Sequence, residues 1–185
     1  MNGDNMQDLV EKQIKRERRY DGHIVHLVKD TVLLPNGKEA VREVCIHVGA
    51  VAIIPLLDDG RVVMERQFRY PHGRVFLEIP AGKLDSPDED VLEAAKRELR
   101  EETGATAERF THLGVMIPSP AVLGEKITLF LAEGLSFGDR QLDDDEFLDV
   151  EFIPLDELFG MVMRGEIEDA KTAIAVLKLH AMKNA

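Results

Sequence analysis

Hydrophobic and polar residues alternate in the first third of the chain in a way that predicts β-structure. Apolar positions alternate with polar ones in HIVHLVKDTVLL and AVREVCIHV, and Pro35-Asn36-Gly37-Lys38 separates these runs as a turn. Residues 1–19 are polar and predict a helix or a loose arm. The hairpin has no core of its own, so we expect it to pack on a neighbour, within the chain or across a dimer.

Later apolar runs predict further strands and two closing helices. Strands are expected in AVAIIPLL, VVMERQFRY, VFLEIPAGK, RFTHLGVMI, ITLFLAEGL and FLDVEFIP. Helices are expected at 155–164 and 169–182, with a break near Gly165. The last helix should pack on the core through Ala170, Ala173, Ile174, Leu177 and Leu179 or Met182. Strands on both sides of a central helix imply the α/β class, as an α/β/α sandwich around a mixed β-sheet.

The central helix is rich in carboxylates and lies in the segment GKLDSPDEDVLEAAKRELREETGA. We predict that it begins between Pro87 and Asp90, because proline suits a first helical turn and acidic residues favour a helix N-terminus. Ser86 or Asp85 is the expected N-cap. Gly104 is expected to end the helix.

One side of this helix carries three glutamates. At about 100° per residue, Glu98, Glu101 and Glu102 fall within about 100° of one another, and Glu102 lies inside the apolar arc that faces the core. Like charges at positions i and i+4 destabilise a helix, and burying an unpaired carboxylate costs free energy. A bound cation would relieve both penalties.

The donor atoms on this helix side are hard oxygens, so Mg²⁺ is the expected ion and Mn²⁺ its substitute. Arg97 can pair with Glu93 or with Glu101 and so fix the direction of the cluster. A further carboxylate, Glu146, adjoins the strand FLDVEFIP, so we expect it to be held in place, whereas the aspartates beside it are interpreted as solvated. The alternative interpretation of the helix is a solvated charged face, which most charge runs form.

The composition narrows the classes of function. A formal net charge of −12 argues against a nucleic-acid-binding surface. An acidic protein that binds an anionic phosphate must neutralise its own field there, which divalent ions and a few arginines would do. Because the chain has no apolar run near about 18 residues and no cleavable signal, we expect a cytoplasmic protein without a membrane partner. The single cysteine, Cys45, excludes an internal disulfide.

The segment RQFRYPHGR combines arginines with aromatic residues just before the central helix. Arg66, Arg69 and Arg74 suit bidentate contacts with phosphate, and Phe68 or Tyr70 offers a face for a base or a ribose. The alternative interpretation is that these arginines are solvated on an edge strand.

The central segment resembles the Nudix box, which places a glycine, a short loop, a glutamate and then the pattern Arg-Glu-aliphatic-any-Glu-Glu-any-Gly-aliphatic. The positions that match in register are Glu89, Arg97, Glu98, Leu99, Glu101, Glu102, Gly104 and Ala105. Six residues separate Gly82 from Glu89, where the family usually has five, so the loop differs in length. The resemblance implies the Nudix fold with an N-terminal β-hairpin extension.

Outside the box, the chain is similar to the ADP-ribose pyrophosphatase branch of the family from Tyr20 to Met182. The shared features are PNGK, REV, RQFRYP, EIPAGK, SP followed by EKI, and the closing DAKT, with Pro120 at the position that marks this branch. The metal ligands that the resemblance implies are Glu98, Glu101, Glu102, Glu146 and the carbonyl of Ala81. The implied catalytic residues are Glu146, Glu101 and Arg97, with Glu146 or a box glutamate as the base. The implied substrate contacts are Arg42, Arg66, Arg69, Glu78, Pro120 and Glu125.

The resemblance also predicts the organisation and activity of the chain. Residues 1–48 would form an arm and hairpin that build a homodimer, and residues 49–185 would form the Nudix hydrolase domain. The implied reaction is Mg²⁺-dependent hydrolysis of ADP-ribose or a related nucleoside diphosphate sugar, which gives a nucleoside monophosphate and a sugar phosphate. GDP-mannose, NADH and dinucleoside polyphosphates stay open as substrates, since the chain has no Trp to stack on adenine. A nucleoside triphosphate hydrolase, a non-catalytic module that binds ADP-ribose and a purely structural protein also stay open.

Overall fold

The computed structural model describes residues 9–142 and 146–184. Within these residues the chain forms two compact units. The first contains residues 9–47 and Ser119–Glu125, and the second contains Val48–Pro118 and residues 126–184.

The first unit is built on an antiparallel sheet of β1 (Lys12–Asp21), β2 (His26–Leu33) and β3 (Glu39–Ile46), in that order. The β2–β3 hairpin is confirmed, and Gly37 takes a positive φ of 79° in its turn. The expected helix or loose arm is wrong for the residues of β1, because these pair with β2 along a ladder. Arg16 on β1 donates to the buried carboxylate of Asp30 opposite it, at 2.8 and 2.7 Å. Cross-strand ion pairs of this kind stabilise a strand that is otherwise polar.

The second unit is a mixed sheet. Its strands, within the described residues, are β4 (Ala50–Leu56), β5 (Arg61–Arg69), β6 (Arg74–Glu78), β7 (Ala81–Lys83), β8 (Ala105–Met116), β9 (Ile127–Phe137) and β10 (Leu148–Pro154). The order is β10-β5-β4-β9-β8, with β6 on β5 and β7 on β4. The β4–β9 pair is parallel and its neighbours are antiparallel.

Strands β4 and β5 separate near the segment EIPAGK, which leads into the central helix. Strands β4 and β5 meet at the pair Leu56–Val62 beside their connecting turn. Beyond it, β4 pairs with β7 and β5 pairs with β6. The two branches therefore diverge around the link between Glu78 and Ala81.

Helices cover both faces of this sheet, which confirms the α/β/α sandwich. Helix α1 (Val91–Thr103) packs on one face against Val51 and Ile53 of β4. Helices α2 (Leu155–Met163) and α3 (Ala170–Lys183) pack on the other face against the alternate residues of the same strand. Since β4 is buried on both sides, each of its large aliphatic side chains contributes about 1.5–3 kcal/mol to folding. In the described part of the chain, no helix is long and apolar enough to cross a membrane.

The core face of α3 differs from the expected one. Its buried residues are Lys171, Thr172, Ala175, Val176 and Leu179, whereas Ala170, Leu177 and Met182 are exposed. The expectation is confirmed for Leu179, the first of its two alternatives, and Ile174 packs against the core. It is wrong for Ala170 and Leu177, because the inward positions are taken by Lys171 and Thr172. Their polar atoms instead bond to residues at the end of β6, as described below.

The start of α1 also corrects the sequence analysis. Asp90 is the N-cap, and its Oδ1 accepts from the backbone N–H of Leu92 at 2.9 Å and of Glu93 at 3.1 Å. Ser86 lies in the preceding loop, where its carbonyl accepts from the N–H of Glu89. The end at Gly104 is confirmed, with a left-handed φ of 72°.

Replacing Asp90 with alanine should destabilise the protein by about 1 kcal/mol, because two N–H groups at the start of α1 lose their acceptor. Replacing Ser86 with alanine is the matched control and should leave the melting temperature unchanged. Thermal denaturation of both variants measures the difference. Equal melting temperatures for the two variants would contradict the assignment of the cap.

Candidate active site

The glutamate side of α1 faces the short strand β7. The Glu102 carboxylate is 3% exposed, and its Oε2 accepts from the backbone N–H of Ala81 at 2.9 Å. Glu98 is also buried and lies against Gly82, where an added Cβ would come within 2.0 Å of the Glu98 carboxyl carbon. The Glu98 carboxylate therefore fills the space that the missing side chain of Gly82 leaves open. As the helical wheel predicts, Glu102 faces inward.

Burial dominates the electrostatics of these two carboxylates. It raises the pKa of Glu98 to about 7, against the opposing effect of the Arg97 charge. Burial also raises the pKa of Glu102 well above its usual value, and the negative charges of Glu65 and Glu98 add to the shift. Both groups hold protons more strongly than a solvated glutamate, so a bound cation would have to displace those protons.

Arg97 organises the outer side of the cluster. Its Nη1 donates to Glu98 at 2.8 Å and to Glu101 at 3.2 Å. Its Nη2 donates to the carbonyl of Lys83 at 3.4 Å and to Glu89 at 3.3 Å. The expected pair with Glu101 is therefore present, whereas Glu93 pairs with Lys96 instead. Arg97 links the helix to the loop that precedes it.

Glu146 lies among the described residues, and the aspartates before it at 143–145 fall outside them. Its negative charge raises the pKa of Glu65, Glu98 and Glu102. A charge that acts on all three carboxyls places Glu146 on their side of the domain. The structure thus gathers the glutamates of α1 and this loop glutamate in one region.

A second polar cluster, formed by Arg69, Glu78, Asp169, Lys171 and Thr172, holds the end of β6. Arg69 makes a bidentate contact with Glu78, from Nε at 2.8 Å and from Nη2 at 2.7 Å. Glu78 also accepts from the buried Lys171, whose Nζ lies 3.0 Å from Asp169. Arg69 and Lys171 together hold the pKa of Glu78 below its usual value, although burial acts to raise it.

Thr172 completes the connection between α3 and β6. Its hydroxyl accepts from the backbone N–H of Ile79 at 2.9 Å and donates to Asp169 at 2.6 Å. Ile79 stands between Glu78 and the residues that approach the α1 glutamates. The motif Asp169-Ala170-Lys171-Thr172 therefore fixes the backbone that leads into the candidate site.

The other predicted substrate contacts make ion pairs outside these two clusters or belong to the first unit. Arg66 pairs with Glu151 of β10, and Arg74 pairs with Glu168. Arg42, Pro120 and Glu125 belong to the first unit, where Arg42 pairs with Glu11 and Glu125 lies 3.6 Å from His47. The substrate-binding roles of these residues stay predictions.

Sequence reasoning missed two charged residues at the site, Glu65 and Lys171. Glu65 is 3% exposed and follows the buried run Val62-Val63-Met64. Lys171 is 8% exposed, inside the core face of α3. Glu65 could have been found as a glutamate that interrupts a strand of apolar residues. Lys171 could have been found as part of the DAKT motif.

The donor set of the cluster fits a hard divalent cation. It consists of carboxylate oxygens together with the backbone around Ala81, and it contains neither thiol nor imidazole. In the described part of the chain, no three acidic, histidine or cysteine side chains already converge as a complete ligand set. The Glu98 carboxylate accepts a hydrogen bond from Arg97, so an ion bound to the same oxygen would compete with that bond.

Comparison with known proteins identifies the family. The NUDIX domain matches residues 46–175. An ADP-ribose pyrophosphatase of Bacillus subtilis (strain 168) is 42% identical over 173 residues, which cover 92% of this chain and 93% of that protein. A methanol dehydrogenase activator of Bacillus methanolicus is also 42% identical, over 90% of both chains. The crystal structure of an ADP compounds hydrolase superposes with a TM-score of 0.81 at 22% identity, covers 93% of both chains and shows the shared fold.

The chain belongs to the Nudix family, and within it to the group that resembles ADP-ribose pyrophosphatases. It is a Nudix pyrophosphatase, a hydrolase class whose members generally use divalent metal ions. The resemblance read from the Nudix box is therefore confirmed.

The stability of the metal-free protein should fall as pH rises through the neutral range. The pKa of Glu98 is about 7 in the folded protein against a usual value of 4.5, so the folded state holds a proton that the unfolded state has lost between these values. Its stabilising contribution is complete below about pH 4.5 and disappears as pH rises through about 7. Melting temperatures measured in EDTA from about pH 5 to 8 test this, and Glu98→Gln should flatten the profile. A Glu98→Gln profile parallel to the wild-type profile would contradict it.

Proposed function

We propose that this protein hydrolyses the diphosphate bond of ADP-ribose or a related nucleoside diphosphate sugar, giving a nucleoside monophosphate and a sugar phosphate. Mg²⁺ is the proposed metal, and Mn²⁺ can replace it. The observation that carries the proposal is the pair of buried carboxylates, Glu98 and Glu102, held against the backbone of β7. The names of the Bacillus subtilis and Mycobacterium tuberculosis relatives support ADP-ribose as the substrate.

A bound divalent ion supplies positive charge against the diphosphate and lowers the pKa of the attacking water. Glu98 and Glu102 would hold it, with the Ala81 carbonyl, Glu101 and Glu146 as further ligands. Carboxylate and carbonyl oxygens are the ligands that such ions prefer.

The remaining steps belong to side chains of the chain itself. Arg69 binds the diphosphate through the part of its guanidinium that stays accessible, since its side chain is 38% exposed. Glu146 accepts the proton of the attacking water as a new oxygen–phosphorus bond forms. The bond from that phosphorus to the bridging oxygen breaks, and the bridging oxygen leaves with the other phosphate. Arg97 keeps Glu101 and Glu98 oriented during this exchange.

Recognition of the base falls to aromatic residues near Arg69. Phe68 is 54% exposed and Tyr70 is 88% exposed, so both offer free ring faces. Base–aromatic stacking accepts any base because every base has a π-face. Stacking on Phe68 or Tyr70 therefore does not select one nucleobase, and a substrate panel determines the preferred nucleotide sugar.

A substrate panel tests the proposal directly. ADP-ribose, GDP-mannose, NADH and dinucleoside polyphosphates are each incubated with Mg²⁺ or Mn²⁺, and products are quantified by chromatography. ADP-ribose should give the highest kcat/KM. If the protein binds ADP-ribose but cleaves no member of the panel, it is a binding module, and the proposed function is wrong.

Glu102→Gln should lower kcat on the preferred substrate by at least about a hundredfold with little change in KM, because the amide removes a charge that acts on the reacting state. Glu93→Gln is the matched control, since Glu93 lies on the same helix and pairs with Lys96 at the surface. Steady-state kinetics of both variants give the comparison. Near-normal turnover by Glu102→Gln would exclude the assigned metal role.

We further propose that the first unit mediates a homodimer. Exposed apolar residues of this unit support the proposal, and they include Ile14, Tyr20, Ile24, Val25 and Val41. Patches of this kind mark protein interfaces. Sedimentation at micromolar concentration should show a dimer, and a monomer would contradict the proposal.

A further inference from the structure

Glu65 is a carboxylate enclosed in the fold without a hydrogen-bond partner for one of its oxygens. It lies on β5, where it pairs across the ladder with Glu78 of β6 and Val150 of β10. Its side chain is 3% exposed, and within the described residues its Oε1 bonds to no other group. Leaving a buried polar atom unsatisfied costs about 1–3 kcal/mol, so the arrangement needs a functional explanation.

The positive charges near Glu65 are bound to other carboxylates. Lys171 acts on Glu65 electrostatically, yet its Nζ bonds to Glu78 and to Asp169. Arg69 also acts on Glu65, but its bidentate contact is with Glu78. A structural ion pair therefore does not account for the Oε1 atom.

The negative charges near Glu65 belong to the candidate metal site. Glu146 and Glu78 both oppose its ionisation. Among charged neighbours of Glu102, Glu65 acts most strongly on that carboxyl. Glu65 thus lies near Glu102 and is carried by strand β5 of the sheet, whereas Glu102 is carried by α1.

We propose that Glu65 is a further acidic residue of the divalent-cation site, supplied by the sheet, with Oε1 as an acceptor for the hydration shell of the ion. This inference rests on the proposed metal-dependent function. It gives Glu65 a positioning role, since it acts through the ion and its water. A bound cation with its water would also give the Oε1 atom of Glu65 a partner, which removes the cost of leaving this buried oxygen unsatisfied.

The experiment measures metal binding separately from turnover. Mn²⁺ affinity is determined by isothermal titration calorimetry without nucleotide, and melting temperatures are measured in EDTA and in saturating Mn²⁺. Glu65→Gln should weaken Mn²⁺ binding about 10- to 100-fold, which is the usual effect of losing an outer-shell carboxylate. It should also raise the melting temperature in EDTA, because folding no longer has to bury a carboxyl that is ionised in the unfolded chain. The control Glu93→Gln should match the wild type in both measurements.

The outcomes separate this inference from the function on which it rests. A wild-type protein that does not bind Mn²⁺ overturns the proposed function itself. If the wild type binds but Glu65→Gln binds equally well, Glu65 is outside the metal site and the inference is wrong. A lowered melting temperature in EDTA with unchanged affinity would make Glu65 a structural partner of Lys171 instead.

A second variant covers the case in which Glu65→Gln does not fold. Glu65→Asp keeps the charge but withdraws it by one methylene. It should bind Mn²⁺ more weakly than the wild type and more tightly than Glu65→Gln, and it should not gain stability in EDTA. An Asp variant with wild-type affinity and a raised melting temperature would overturn the inference.

Discussion

Burying a carboxylate destabilises a folded protein unless something compensates its charge, and this domain buries two within one turn of α1. Glu102 has one backbone N–H for compensation, and Glu98 has one arm of Arg97. Both lie against β7, where Glu102 accepts from Ala81 and Glu98 fills the space beside Gly82. The surrounding strands keep the Glu98 and Glu102 carboxylates buried, so water cannot solvate their charges.

Arginine and lysine residues hold the segments around the buried glutamates through ion pairs. Arg97 fixes the loop before α1 to the outer glutamates, and Lys171 fixes the end of β6 to the start of α3. Arg69 shares Glu78 with Lys171, so Glu78 would keep a cationic partner if Arg69 turned towards a phosphate, as we propose. In the proposed function, this sharing would let a chain with a formal net charge of −12 offer an arginine to an anionic substrate.

The sequence predicts the features that depend on periodicity and misses those that depend on tertiary contacts. The inward position of Glu102 follows from a wheel at about 3.6 residues per turn, and the positions of the strands along the chain follow from alternation and turn residues. The expected cap of α1, Ser86 or Asp85, was wrong because Asp90 is an equally good capping residue, and the path of the loop decides between the three. Glu65 and Lys171 were missed for a related reason. A prediction from residue polarity places charged residues at the surface. Lys171 acts on Glu65 and pairs with Glu78 inside the fold, and both of these partners are distant from it in sequence.

The C-terminal helix α3 does more than pack on the sheet. It accepts a hydrogen bond from Ile79 through Thr172 and pairs with Glu78 through Lys171, so it also holds the strand end that leads into the candidate site. A chain cut before Asp169 would keep every glutamate of α1 and every atom of Arg69. It would lose the clamp that holds the strand end between them. Because α3 also fills one face of the core, its loss would disturb the candidate site and the fold together.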